Sequence, residues 1–400
     1  MKIVLINSWY TQGSTGYLVK CFRDRLLDCG HEARVYYGRG TESEDAGVRK
    51  IGKRADLFLH AFLARSTGME GCFSTFRTRR MLDEIDAFSP DVVYLFNLHA
   101  YYLNEYLLLR RLKEKKYKVV YVLFDEYAFM GKCCFSMGCD RFQTECGNCP
   151  NVRDYPKSWI FDRSKKLFLE KKEIFSDWKE LTLAGVEFLK IQAKRSAIAS
   201  HLPFETLNMG IDMQKTFLPV PSDELRRALG IGAKQKVALT VCSSSDRRKG
   251  TRFFYETARL CQGDDVVFIQ VGMDEKIKNL PVNFIGIPYV SDLHELCRYF
   301  SLADLYLTTS FGEAMALVYL ESLACGTPIA GFDVSGVPYT ASREFLKVVP
   351  FGDTKALADV VRSFPRKTQI SADACRNYAL EHYALSDFTR RLCEIGGASV

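Results

Sequence analysis

Two carboxylates, Glu313 and Glu321, stand eight residues apart in FGEAMALVYLESLACGTP (Phe311–Pro328), a run that otherwise reads as a buried apolar helix. At roughly 1.5 Å of helical rise per residue they would lie about 12 Å apart. So placed, they are either a helix-start acid and a solvated one, or acceptors for the hydroxyl pairs of a ligand. A cationic run, DRRKG (Asp246–Gly250), supplies Arg247, Arg248 and Lys249. Four small residues, Gly13, Ser14, Thr15 and Gly16, follow the first apolar stretch. They make either a plain turn or a place where the backbone approaches a ligand closely.

Five of the fourteen cysteines, Cys133, Cys134, Cys139, Cys146 and Cys149, fall within seventeen residues, in KCCFSMGCDRFQTECGNCP. Cys146-Gly-Asn-Cys149 has the spacing of a metal-binding knuckle. Cys133 and Cys139 would complete four thiolates around a tetrahedral zinc at about 2.3 Å. Four protein ligands leave no open position, so such a zinc is structural and no catalytic metal is expected. A disulfide or redox pair and packed free thiols are the alternatives, with Cys134 a spare. The other nine cysteines are scattered singly, as small core residues are.

The elements that must position these groups come from the whole chain. Four hundred residues, 47% hydrophobic and 26% charged, describe an ordinary globular protein long enough for two domains. MKIVLINSWY has one Lys and an apolar run soon broken by polar residues, so neither a secretion signal nor a spanning helix is expected to begin there. No stretch offers the roughly 18 uninterrupted apolar residues of a transmembrane helix. The expected location is cytoplasmic, where thiols stay reduced. The net charge of +7 is uneven, with +8 on residues 1–200 and −1 on residues 201–400. The first half is therefore expected to meet something anionic, such as a phosphate-bearing lipid, a membrane surface or nucleic acid. A solvated basic face accounts for RRLKEKKYK (Arg110–Lys118) on its own.

Short β-branched runs alternate with longer amphipathic stretches. KIVLINS, EARVYYG, VVYLFN, KVVYVLFD and LTLAGV occupy the first half, and the series restarts with KVALTVCS, VVFIQVG, VNFIGIP, DLYLTTS and PIAGFDV. This is the pattern of parallel strands with helical crossovers, given twice. It predicts two α/β domains, residues 1–205 and 206–400, with a Cys-rich insertion at about 130–150 and a last helix able to pack back on the N-terminal domain. Leu207–Glu224, with two prolines and no period, reads as linker and hinge. Ligands of such sheets bind beyond the carboxyl ends of the strands, which puts the expected site in a cleft between facing domains. Glu313 then sits where DLYLTTS gives way to a helix. The N–H groups of about Ala314, Met315 and Ala316 and the helix dipole there favour a phosphate. A nucleoside diphosphate sugar has the reach to set its sugar on one carboxylate, its ribose on the other and its diphosphate over the helix start.

The motif of Glu, seven residues and Glu, followed by ACGTP and a strand ending FDVSGVP, resembles the donor-site signature of retaining family 4 glycosyltransferases of the GT-B fold. INSWYTQGSTGYLVKCF, DVVYLFNLHAYYLN, LNMGID and DRRKG match family segments in chain order, so the resemblance covers nearly the whole chain. GSTG, RVYYGR, HAYYLN and the cysteine block followed by DYPKSWIFDRSKK resemble a bacterial branch that builds capsular, exo- or lipopolysaccharide. The resemblance implies two Rossmann-like doubly wound domains facing across a cleft. It implies that Lys249 binds the donor diphosphate, Glu313 the sugar hydroxyls and Glu321 the ribose hydroxyls, with Gly13, Ser14, Thr15 and Gly16 close to donor phosphates or acceptor.

The chain also departs from the family. Ser244 stands where many relatives pair the lysine with an arginine, which leaves Arg247 or Arg248 to substitute. The branch pattern LHDxWxF becomes VLFDEYAF, with Phe124 before Asp125, and a family His-Asn-x-His segment becomes Phe96-Asn-Leu-His99. Phenylalanine neither accepts a proton nor donates a hydrogen bond. His99, Asp125 and Glu126 are then the remaining candidates for work at the acceptor hydroxyl, although His99 also fits a histidine packed at a strand end. The expected function is transfer of a sugar, with retention, from a UDP- or GDP-sugar to a lipid-linked glycan acceptor in bacterial surface polysaccharide synthesis. Peripheral contact with the cytoplasmic face of the inner membrane goes with it. The alternative is a catalytically impaired GT-B protein acting as a nucleotide-sugar or glycan-binding subunit. Nucleic acid is not an expected partner, because two α/β domains with a sugar-nucleotide signature leave it little to explain.

Overall fold

A computed structural model describes residues 1–274, 277 and 279–399. The chain divides into two compact units, one made of Met1–Asn208 and the residues from Phe388 on, the other of Met209–Asp387.

The first unit is built on seven strands: β1 (Lys2–Trp9), β2 (Glu32–Arg39), β3 (Val48–Lys50), β4 (Val92–Leu95), β5 (Lys118–Val122), β6 (Leu181–Gly185) and β7 (Phe204–Thr206). All pair in parallel, in the order β3-β2-β1-β4-β5-β6-β7. Ile3 to Ile6 of β1 and Val92 to Leu95 of β4 are wholly buried, as strands covered by helices on both faces must be. The helices are α1 (Gly13–Asp28), α2 (Arg54–Thr67), α3 (Thr75–Phe88), α4 (Glu105–Glu114), α5 (Ser164–Phe175) and α6 (Glu187–Arg195). Local chemistry sets their starts. Asn104 accepts from the Leu107 N–H ahead of α4, and Leu108, Leu109 and Leu112 face inward one turn later.

The second unit repeats the plan with β8 (Lys236–Val241), β9 (Val266–Val271), β10 (Phe284–Ile287), β11 (Leu305–Thr308), β12 (Ile329–Phe332) and β13 (Leu346–Val349), in the parallel order β10-β9-β8-β11-β12-β13. Its helices are α7 (Asp223–Ala228), α8 (Thr251–Leu260), α9 (Leu293–Leu302), α10 (Leu317–Ala324), α11 (Thr354–Ser363) and α12 (Gln369–His382), followed by α13 (Leu385–Gly396). Phe254, Phe268, Leu307 and Phe332 form its core between sheet and helices. From Phe388 on the chain is tied to the first sheet. The Tyr94 hydroxyl donates to Leu392 O at 2.8 Å, Lys118 Nζ to Gly396 O at 2.9 Å, and Arg391 pairs with Glu205 at 2.6 Å.

In each sheet the strand order reverses at one place, between β1 and β4 and between β8 and β11. There the crossovers leave in opposite directions and open a crevice at the carboxyl ends of the strands. Periodicity did not point to β3, β7 and β13, short outer strands of three or four residues, too brief to show an alternation. Among the described residues no helix is long and apolar enough to cross a membrane.

Candidate active site

The second unit's reversal point gathers the acids and the cationic run. Past β8 the chain makes a 3-10 turn at Arg247–Lys249, opened by Asp246, whose carboxylate accepts from the Arg248 N–H. Gly250 follows at φ +62°, and a Cβ there would lie 2.2 Å from Thr309 O. Only glycine lets this turn press against the end of β11. Thr309 Oγ1 donates to Lys249 O, the Phe311 N–H donates to Arg248 O, and Lys249 Nζ meets Glu313 Oε1 at 2.6 Å. Burial works against the lysine's charge, but the Glu313 carboxylate overrides it and holds the ammonium above its ordinary range.

Glu313 does not begin the helix. α10 starts at Leu317 with Ala316 as its cap, so Ala314, Met315 and Ala316 belong to the connecting loop and the 12 Å helical separation does not apply. The turn after β12 holds that loop open. The Gly336 N–H donates to Glu313 O at 2.8 Å, and a Cβ on Gly336 would lie 1.7 Å from Ala314 O. Ala316 has no side-chain acceptor to cap α10, and the Tyr319 N–H turns back to Ala316 O at 3.0 Å. Glu321, one helical turn further in, is part-buried. Desolvation, with the Cys297 thiol adding and Lys249 opposing, pushes its carboxyl up to about 8.

Arg248 is differently employed from the expectation. Its guanidinium donates to Asp246 at 2.7 Å and to Gly312 O at 3.0 Å, so it braces the loop instead of standing ready for a phosphate. Ser244 accepts from Gln270 Nε2 at 2.9 Å and from the Asp274 N–H at 3.2 Å. Tyr319 was not singled out from the sequence. Its hydroxyl lies 2.8 Å from Thr308 Oγ1, and burial, reinforced by Glu313 and opposed by Lys249, raises the phenol to about 12. An aromatic two residues into a short apolar helix carries no signal that would have marked it.

At the first unit's reversal point, Gly13 to Gly16 form the first turn of α1 itself and not a turn before it. Gly13 takes φ +68°, and a Cβ on Gly16 would press on Trp9 at 3.1 Å. Opposite, His99 and Asp125 meet, Nε2 to Oδ2 at 2.9 Å. Asp125 Oδ1 also accepts from the Tyr127 N–H, and His99 Nδ1 lies 3.0 Å from the Tyr155 hydroxyl. With a carboxylate on one side, the ring presents Nε2–H to Asp125 and accepts from Tyr155 at Nδ1. Phe96 and Phe124, the two residues that replace family histidines, stack on each other at 5.9 Å and 16°. Glu126 turns away, accepting from the Ser136 N–H at 2.5 Å, and burial lifts its carboxyl to about 7.

Behind this pair lies a buried charge cluster that no motif announced. Lys171 and Glu105 are fully buried 3.6 Å apart. Lys171 donates to Tyr127 O, the Tyr127 hydroxyl donates to Glu105 at 2.7 Å, and the Tyr127 ring packs on His99.

The cysteine segment brings Cys133 and Cys149 to 3.8 Å, while Cys139 and Cys146 line the same small void. The hydrogen bond from Cys133 holds Cys149 down to about 7 and pushes Cys133 up. Among the described residues, the ligand atoms of His99, Asp125 and Cys134 all lie within 4.8 Å of one another, whereas the four thiols form no such group. Both ring nitrogens of His99 already have partners, which makes that trio a hydrogen-bonded pair beside a thiol.

Two parallel doubly wound sheets, with acids and a lysine at the carboxyl ends of the second, define a GT-B protein. Residues 235–364 match the family model described as glycosyl transferases group 1. The chain is 25% identical over 252 residues to "Putative colanic acid biosynthesis glycosyl transferase WcaC" of Escherichia coli, covering 60% of this chain and 59% of that relative. The chain thus spans under two thirds of that relative's length. Among solved structures it is similar to WaaG, a glycosyltransferase involved in lipopolysaccharide biosynthesis, with a TM-score of 0.66, 17% identity, and 99% and 100% of the two chains covered. It is also similar to Anabaena HepE in complex with UDP-glucose, with a TM-score of 0.63, 15% identity, and 98% and 99% covered.

Proposed function

We propose that this chain is a retaining glycosyltransferase that moves a sugar from a UDP- or GDP-sugar to a lipid-linked intermediate of a bacterial surface polysaccharide, at the cytoplasmic face of the inner membrane. The observation that carries the reading is the part-buried Lys249–Glu313 pair at the β8/β11 reversal point, beside the start of α10, which no side chain caps. Lys249 offers the diphosphate a compact charge, Glu313 accepts from sugar hydroxyls and Glu321 from ribose hydroxyls. HepE binds UDP-glucose on the same fold, and WcaC bears a polysaccharide-biosynthesis name. Calorimetric titration with UDP and GDP tests the donor site. One of the two saturates, and Glu321→Ala weakens it by roughly tenfold, the loss of one or two hydrogen bonds. Binding of neither by folded protein removes the reading.

One observation favours the impaired-enzyme alternative. The Phe96–Phe124 stack puts two rings without acid–base capacity next to Asp125. Phe124→His separates the two readings: an active wild type that only changes in rate was an enzyme already, while turnover appearing only in the variant marks a binding subunit.

The cysteine segment is proposed to hold one structural zinc through Cys133, Cys139, Cys146 and Cys149. Metal would draw in Cys139 and Cys146, and all four thiols would give up their protons on binding. Purified reduced protein then contains about one zinc per chain, and Cys149→Ser lowers that content sharply. Metal-free wild type that melts at the same temperature with and without added zinc would discard the site.

A further inference from the structure

α2 is built inside out. Its buried side carries His60 and Ala64, while Phe58, Leu59 and Phe62 face outward with 57–62% of their surface exposed. An amphipathic helix of a water-soluble surface does the reverse. The segment before α5 repeats the anomaly, with Trp159 and Phe161 about half exposed and Ile160 at 71%. The two are continuous. The rings of Phe62 and Trp159 are 6.0 Å apart, and the Trp159 N–H donates to Arg65 O at 2.7 Å. α3 starts alongside, Arg77 lying 3.2 Å from Asp56 of α2, and adds Phe76 at 73% exposure.

Cations are interleaved with these side chains. The Arg54 and Arg163 guanidiniums lie 5.4 Å from the rings of Phe58 and Phe161, and Lys53 caps α2. Arg49, Lys50, Arg77 and Arg80 line a cavity of about 340 Å³ between β3 and α3, against two acids, Glu42 and Glu84. Large apolar side chains pointing into solvent among arginines and lysines match the boundary between phospholipid headgroups and acyl chains, where rings and aliphatics enter and cations meet phosphates. A protein partner would need complementary acids around an apolar core; an anionic bilayer supplies both at once.

We propose that α2, the start of α3 and residues 157–163 form a docking face for an anionic phospholipid bilayer. This rests on the lipid-linked acceptor reading for its purpose, but its test contains neither donor nor acceptor, so failure of one leaves the other standing.

The full chain is mixed with phosphatidylcholine vesicles, with or without phosphatidylglycerol. The expected result is sedimentation with the phosphatidylglycerol vesicles alone, weakened by salt. Trp159, the exposed one of the three tryptophans, shifts its emission to shorter wavelength. Phe58→Ser/Phe62→Ser/Ile160→Ser lowers partitioning by about tenfold or more, and Arg54→Glu/Arg163→Glu also lowers it. Both variants keep the wild-type melting temperature, since the altered side chains are on the surface. Equal binding to neutral vesicles, no binding, or a triple variant that binds as before overturns the proposal. Self-association that the triple variant abolishes, without vesicle binding, assigns the face to a second copy and overturns it too.

Discussion

Lys249→Ala lowers kcat/KM for sugar transfer by roughly 100- to 1000-fold, the range for removing one preorganised charge from a transferring group. The loss exceeds that of an exposed lysine because this ammonium is already desolvated and aimed. Its Nζ is 2.6 Å from Glu313, inside a turn that Gly250 and Thr309 press into place. A diphosphate entering there finds the cation without the cost of ordering it. The variant also leaves Glu313 without its partner, so Lys249→Ala/Glu313→Gln is the needed control. If the double variant recovers turnover, the fault lay in the stranded carboxylate and not in the missing charge. Lys249→Arg is not expected to rescue, because a planar fork does not fit a pocket shaped around a point charge. Unchanged steady-state kinetics in Lys249→Ala would remove the lysine from the mechanism.

Lys171→Met destabilises the first unit by about 3–5 kcal/mol, the range for breaking a buried ion pair from one side. Among the described residues, Glu105 would be left buried with the Tyr127 hydroxyl as its side-chain hydrogen-bond partner. Thermal denaturation reads this as a melting temperature lower by roughly 10 °C for a unit of this size. Lys171→Met/Glu105→Gln recovers much of the loss, since a neutral pair no longer strands a charge. An equal fall in both variants would mean that Lys171 matters for packing and not for charge. Lys171 also lies 3.6 Å from the centre of the Tyr127 ring, which packs on His99. Its removal is therefore expected to slow transfer even at temperatures where the protein stays folded.

Much of this arrangement was legible because it is local. The buried runs of β1, β4 and β11 are continuous apolar segments, and their repetition gave two parallel sheets. Glu313 could be placed because it follows closely on a strand, while Lys249 and Glu321 were tied to it by the resemblance of DRRKG and of the Glu, seven residues, Glu motif to the family pattern. What sequence did not give is set by contacts distant in the chain. The start of α10 at Leu317 depends on Gly336 holding the 313–316 loop, a contact over twenty residues away that no helix propensity at Ala314 or Met315 encodes. Arg248 looked like a ready cation, but Gly312 O and Asp246 claim it. Phe96 and Phe124 read as two separate losses, and only the structure shows that their rings stack on each other. Lys171 and Glu105 lay among ordinary helical charges, with nothing to mark them as buried.

The hydroxyl of Tyr155 gives the cysteine segment a reach beyond its own stability. By donating to His99 Nδ1 it fixes which ring nitrogen carries the proton toward Asp125, and Tyr155 sits in the chain that follows Cys149, its ring packed on those of His99 and Tyr101. Loosening that segment, whether by oxidation of its thiols or by loss of a bound ion, would free the imidazole to exchange tautomers. The loop proposed to hold a metal would then also steady the proton that His99 shares with Asp125.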